Sequence, residues 1–86
     1  MPELSRFYGI VIRMYFDEHP PPHFHAAYAG EVASFTIDPP AVYAGRISAR
    51  AAVFAVEWAG LHRQEPLDNW ARMRGDEAPR RIAPLE

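Results

Sequence analysis

The hydrophobic period of this chain changes at Ser48. Up to that residue, apolar side chains recur every second position, the spacing of strands that bury one face. Beyond it they recur at helical spacing. Strands gathered ahead of helices imply an α+β fold: a three- or four-stranded antiparallel sheet followed by two helices packed on one face.

Phe7 to Phe16 reads as one strand, with Tyr8, Ile10, Ile12, Met14 and Phe16 on one face and Phe7, Val11, Arg13 and Tyr15 on the other. His23 to Tyr28 predicts a second strand and Ala29-Gly30 a two-residue hairpin loop. A third strand is expected from Glu31 to Asp38, stopped by Asp38-Pro39-Pro40, and Ala41-Val42-Tyr43 is a short fourth before Gly45. Ser48 is a good N-cap for an alanine-rich helix reaching about Gln64, in which Phe54, Trp58, Leu61 and His62 share an apolar face. Pro66 suits the first turn of a second helix carrying Leu67, Trp70, Ala71 and Met73 and ending at Gly75. The tail from Asp76 to Glu86 is expected to be extended and held by Ile82 and Leu85. One domain over residues 1–86 follows, with the sheet at about 7–44, the helices at about 48–75 and the tail at 76–86.

Composition narrows the chemistry. There is no cysteine, which removes disulfides, thiolate nucleophiles and sulfur-based zinc sites, so any metal or catalytic group must be His, Asp, Glu or a hydroxyl. Nine basic residues, all arginine, stand against 11 acidic ones for a net charge of −2, so overall charge does not favour nucleic acid. Arg72, Arg74, Arg80 and Arg81 could make a local phosphate-contacting patch, but surface solvation and pairing with Asp76, Glu77 and Glu86 is the simpler reading. The opening Met1-Pro2-Glu3-Leu4-Ser5-Arg6 is polar and no apolar run nears the roughly 18 residues of a membrane helix, so the cytoplasm is the expected compartment.

The stretch Asp17-Glu18-His19-Pro20-Pro21-Pro22-His23-Phe24-His25 holds three of the four histidines. On a strand, His23 and His25 project to one face with Cα atoms roughly 6.5–7 Å apart, while Phe24 points the other way. Two imidazoles aimed together are a minimal metal-binding pair, and a third ligand is available from His19, Asp17 or Glu18 in the preceding loop, or from His62. Such N/O ligands suit a divalent transition metal: zinc, nickel, iron or manganese. The same residues can serve as a metal-free general acid/base pair for RNA cleavage, with His23, His25 and His62 as catalytic candidates and Arg13 or Arg63 steadying the phosphate. Equally, histidines beside prolines can simply bond carbonyls at a strand entry. Glu57 followed by His62 is not the His-Glu-x-x-His metalloprotease pattern.

Pro2-Glu3-Leu4-Ser5-Arg6-Phe7-Tyr8-Gly9-Ile10, Met14-Tyr15-Phe16 with Pro21-Pro22-His23-Phe24-His25-Ala26, Glu57-Trp58-Ala59-Gly60-Leu61-His62-Arg63 with Asn69-Trp70, and the ending Ile82-Ala83-Pro84-Leu85-Glu86 resemble the bacterial domain-of-unknown-function family 4160 nearly end to end. The chain departs from that pattern in having three prolines where two are expected, and alanine-rich helix surfaces. The resemblance implies a neighbouring gene for a small protein of family 2442, in a two-gene cassette similar to toxin–antitoxin operons. The expectation is therefore a cytoplasmic module that works through that protein partner, with a metal-binding protein or small ribonuclease as the alternative. Trp58, Trp70, Tyr15, Tyr28 and Tyr43 are aromatic enough to supply core or interface, and Tyr28, beside the hairpin turn, is the candidate interface anchor. An exposed sheet edge would also allow a dimer.

Overall fold

The structure, a computed structural model, describes residues 2–86. The first strand expected from the sequence is two. β1 (Glu3–Phe7) turns at Tyr8-Gly9 into β2 (Ile10–Arg13), with Phe7 paired to Ile10. Tyr8 and Gly9 both take positive φ, 52° and 80°, the requirement of a two-residue turn that follows the twist of its strands. The expected apolar face shortens accordingly: Ile10, Ile12 and Met14 are fully buried, but Tyr8 is 54% and Phe16 41% exposed.

β3 (His23–Tyr28) and β4 (Glu31–Ile37) are joined by Ala29-Gly30. This two-residue loop sets the register, pairing Tyr28 with Glu31, His25 with Ser34 and His23 with Thr36. Asp38-Pro39-Pro40 turns the chain rather than stopping it. Ile37 pairs with Pro40, the first residue of β5 (Pro40–Gly45), where a missing N–H is tolerated on an edge strand. The result is a five-stranded antiparallel meander in the order β1-β2-β3-β4-β5, one strand beyond the upper expectation.

Two helices follow, α1 (Ala49–Leu61) and α2 (Gln64–Arg74). The Ser48 hydroxyl accepts the Ala51 N–H at 3.3 Å and caps α1. Ala51, Ala55 and Ala59 are buried on the inner stripe of α1, so small side chains let the helix approach while Trp58 fills the space between. The Trp58 ring stacks on Phe7 at 5.9 Å and meets Phe24 edge-on at 5.5 Å, and Phe24 stacks on Phe35 at 5.3 Å. Its indole N–H, which would be orphaned in such a core, donates to the Ala83 carbonyl at 2.9 Å. No helix is long and apolar enough to cross a membrane among the described residues.

The tail is held by polar bonds as well as by buried Ile82 and Leu85. Asn69, 1% exposed, donates to the Arg80 carbonyl and accepts the Arg80 N–H, both at 2.8 Å, and the Ile82 N–H donates to the Leu4 carbonyl at 2.8 Å. The tail therefore bonds to β1. Arg81 also reaches Glu3 there, at 3.2 Å, rather than pairing with its acidic sequence neighbours. The Arg6 guanidinium foremost, working against desolvation and joined by that of Arg81, lowers the Glu3 carboxyl to about 2.

Candidate metal centre

Strand alternation separates the two sets of side chains on β3. Phe24 and Ala26 enter the core, and His23 and His25 project from the other face. The loop between Arg13 and His23 then folds Glu18 back over the imidazoles. Glu18 Oε1 lies 2.5 Å from His25 Nε2 and 3.4 Å from His23 Nε2. The ligand atoms of Glu18, His23 and His25 all lie within 4.8 Å of one another.

The remaining ring nitrogens are also engaged. His23 Nδ1 is 2.7 Å from the Pro21 carbonyl, which can only accept, so Nδ1 carries the proton and neutral His23 offers a lone pair at Nε2. His25 Nδ1 is 3.2 Å from Ser34 Oγ, a hydroxyl able to donate or accept and so to support either tautomer. Outer hydrogen bonds of this kind orient metal-bound histidines and fix the nitrogen that faces the metal. Ligands about 2.1 Å from a common ion and roughly at right angles or tetrahedral stand about 3.0–3.4 Å apart, so the His23–Glu18 separation already fits and the His25–Glu18 separation must open by under roughly 1 Å.

Aromatic rings wall the site. Tyr15 meets the His25 ring at 4.6 Å, and Trp70 and Tyr43 meet the His23 ring at 5.2 and 5.6 Å, leaving His23 only 6% exposed. Arg74 donates to the Glu18 carbonyl at 3.3 Å, tying the loop to α2.

The other sequence candidates occupy different places. His62 caps α1, bonds Glu65 at 2.8 Å and packs on Trp58 at 5.8 Å, on the core side of β3, so it is not part of the Glu18 group. His19 and Asp17 share the loop but are likewise outside the group. Both line a cleft with Glu18, Met73 and Arg74. Arg13 is the cross-strand partner of His25, whereas Arg63 pairs with Asp38 at 3.0 Å, so the two proposed phosphate ligands engage different surroundings. Tyr28 is half-buried and lines a cavity with Tyr8 and Phe54. Ser34 was legible in principle, because the Ala29-Gly30 loop dictates its pairing with His25; Trp70 and Arg74 had no such local signal.

The family model described as "Domain of unknown function (DUF4160)" matches residues 9–71, well over half of the chain. The chain belongs to this family. The matched segment spans β2 through most of α2, and so contains all three converging side chains of the DUF4160 domain. No curated protein and no solved structure matches the chain.

Proposed function

We propose that this DUF4160 domain binds one divalent transition metal ion through Glu18, His23 and His25. The observation that carries the reading is the convergence of two imidazole Nε2 atoms on one carboxylate while both Nδ1 atoms are engaged from behind, by the Pro21 carbonyl and Ser34 Oγ. Two histidines and one carboxylate suit iron(II), manganese, zinc or nickel, and three protein ligands leave positions for water or substrate. RNA cleavage has less support: Arg13 is the cross-strand partner of His25, but His62 and Arg63 are engaged elsewhere, by Glu65 and Asp38. The test is elemental analysis of untagged protein after exposure to each metal. About one ion per chain, lost in Glu18→Gln and in His25→Ala, is the expected result. Protein that takes up none of the four metals overturns the reading.

A second reading concerns a partner. β5 pairs with β4 alone, so its other edge carries unpaired backbone groups, and Val42 and Tyr43 on it are half-exposed. Such an edge can accept a strand from another chain. The occupant we propose is the small protein of the adjacent gene, in a cytoplasmic toxin–antitoxin-like pair. Co-expression should give a stable complex, and independent elution of the two proteins would sink the idea.

A further inference from the structure

A cavity of about 450 Å³ lies at the other end of β3 from the imidazoles, lined by Tyr8, Ile10, Tyr28, Arg50, Ala51 and Phe54. Its walls come from the β1–β2 turn, the end of β3 and the first turns of α1. Three of the six lining residues are aromatic, and the Tyr8 and Phe54 rings stand 5.0 Å apart. The volume falls within the range of small-molecule sites, roughly 300–1,000 Å³.

The cation in this cavity has no acidic partner among the described residues. Arg50 lies over the Phe54 ring, 5.5 Å from its centroid, and among the described residues no carboxylate pairs with it. Arg6, Arg63 and Arg81 each have one, and among the unpaired arginines Arg50 is the one that lines this cavity. No acidic residue stands in the first turn of α1 to offset the charge either. Tyr8 stands at the mouth of the cavity with a positive φ. The left-handed conformation costs a non-glycine residue of this kind about 1–2 kcal/mol, and asparagine or glycine would suit the turn better. The ring meets Phe7 edge-on at 6.2 Å and Phe54 at 5.0 Å, which offsets that cost, and it still leaves a half-exposed tyrosine with φ 52° at the cavity mouth, free to stack on a ligand.

We propose that this cavity binds a small planar aromatic anion. Its ring would stack among Tyr8, Tyr28 and Phe54, and its carboxylate or phosphate would bond the Arg50 guanidinium, a pairing for which that fork of donors is well shaped. Nucleoside monophosphates and aromatic carboxylates share this chemistry.

The test is an NMR titration of the full chain with adenosine 5′-monophosphate and, separately, with indole-3-carboxylate. Adenosine and indole supply the respective rings without the anion, and inorganic phosphate and acetate the anions without the ring. Shifts at Tyr8, Tyr28 and Arg50 with at least one aromatic anion, and affinity for it about tenfold or more above that for the corresponding partial probe, are expected. The arm that binds identifies the source. Arg50→Gln should weaken binding by about tenfold or more, because a charged hydrogen bond is lost. Tyr8→Asn should weaken it while keeping or raising the melting temperature, since asparagine favours the turn. The proposal is overturned if neither aromatic anion shifts these signals at millimolar concentration, if each anion that binds is matched by its uncharged ring compound, or if both variants bind like the parent. Metal content is read separately, so the outcome here does not depend on the Glu18 site.

Discussion

The two faces of β3 put six residues to opposite uses. On the core side, Phe24 is fully buried against Phe35 and Trp58, and its place depends only on shape and the exclusion of water. On the other side, His23 and His25 are fixed by polar bonds to Pro21, Glu18 and Ser34. The aliphatic and aromatic core can lose one contact and still be a core, whereas the polar group needs each of its partners. The difference teaches that a strand can carry stability and a chemical site on adjacent residues because alternation keeps them apart.

The strongest challenge to that separation is Phe24→Ala. Removing this buried ring should destabilise the fold by about 3–5 kcal/mol, a loss of 12 °C or more in melting temperature at roughly 4–8 °C per kcal/mol. Chains that remain folded should keep their metal; if they do not, the faces are coupled. Next in size is the metal itself, read by calorimetry with and without a chelator. At a free-metal concentration 100 times Kd the ion should stabilise the domain by about 2.7 kcal/mol, and Glu18→Gln should abolish that increment while leaving the metal-free melting temperature within a few degrees.

A smaller change sharpens the account of the core side. The Ser5 hydroxyl is buried and makes no hydrogen bond among the described residues. Ser5→Ala should therefore stabilise the domain by about 1 kcal/mol in urea unfolding. A loss of stability would reveal a partner for that oxygen. The smallest effect concerns Glu3, the cross-strand partner of Arg13, which in turn pairs with His25. Its carboxyl titrates at about 2 in the folded protein, below its ordinary 4.5, so the fold favours the ionised form. Its contribution is fully present above about pH 4.5 and is lost as pH falls toward 2, and Glu3→Gln should flatten stability over that window. An unchanged acid limb in Glu3→Gln would mean that the exposed arginines do not stabilise this carboxylate.

The fold was legible wherever a local rule operates. Alternation marked the buried positions Ile10, Ile12 and Met14, Ala29-Gly30 marked a hairpin and its register, and Ser48 and Gly75 marked helix ends. The failures both lie at turns. Phe7 and Ile10 are paired and both buried, so the parity of the apolar pattern shifts at the Tyr8-Gly9 turn, but Tyr8 places an aromatic ring in step with Ile10, Ile12 and Met14, so two short strands look like one long strand. Asp38-Pro39-Pro40 looks like a stop because proline removes a donor, yet at an edge that donor is not needed.

At the site, residue spacing alone brought His23 and His25 to one face. The choice of third member could not be made locally. Glu18, His19 and Asp17 are neighbours in the sequence, and a loop anchored by Arg74 from α2 selects among them. His62 shares the helical apolar face that its spacing indicates, but that face packs on Trp58 on the core side of the sheet. Sequence periodicity determines the face on which a residue stands, because the geometry of strands and helices is the same everywhere. Which faces and loops then meet is decided by packing between elements far apart in the chain, and that is where Glu18, Trp70 and Arg74 join the two histidines.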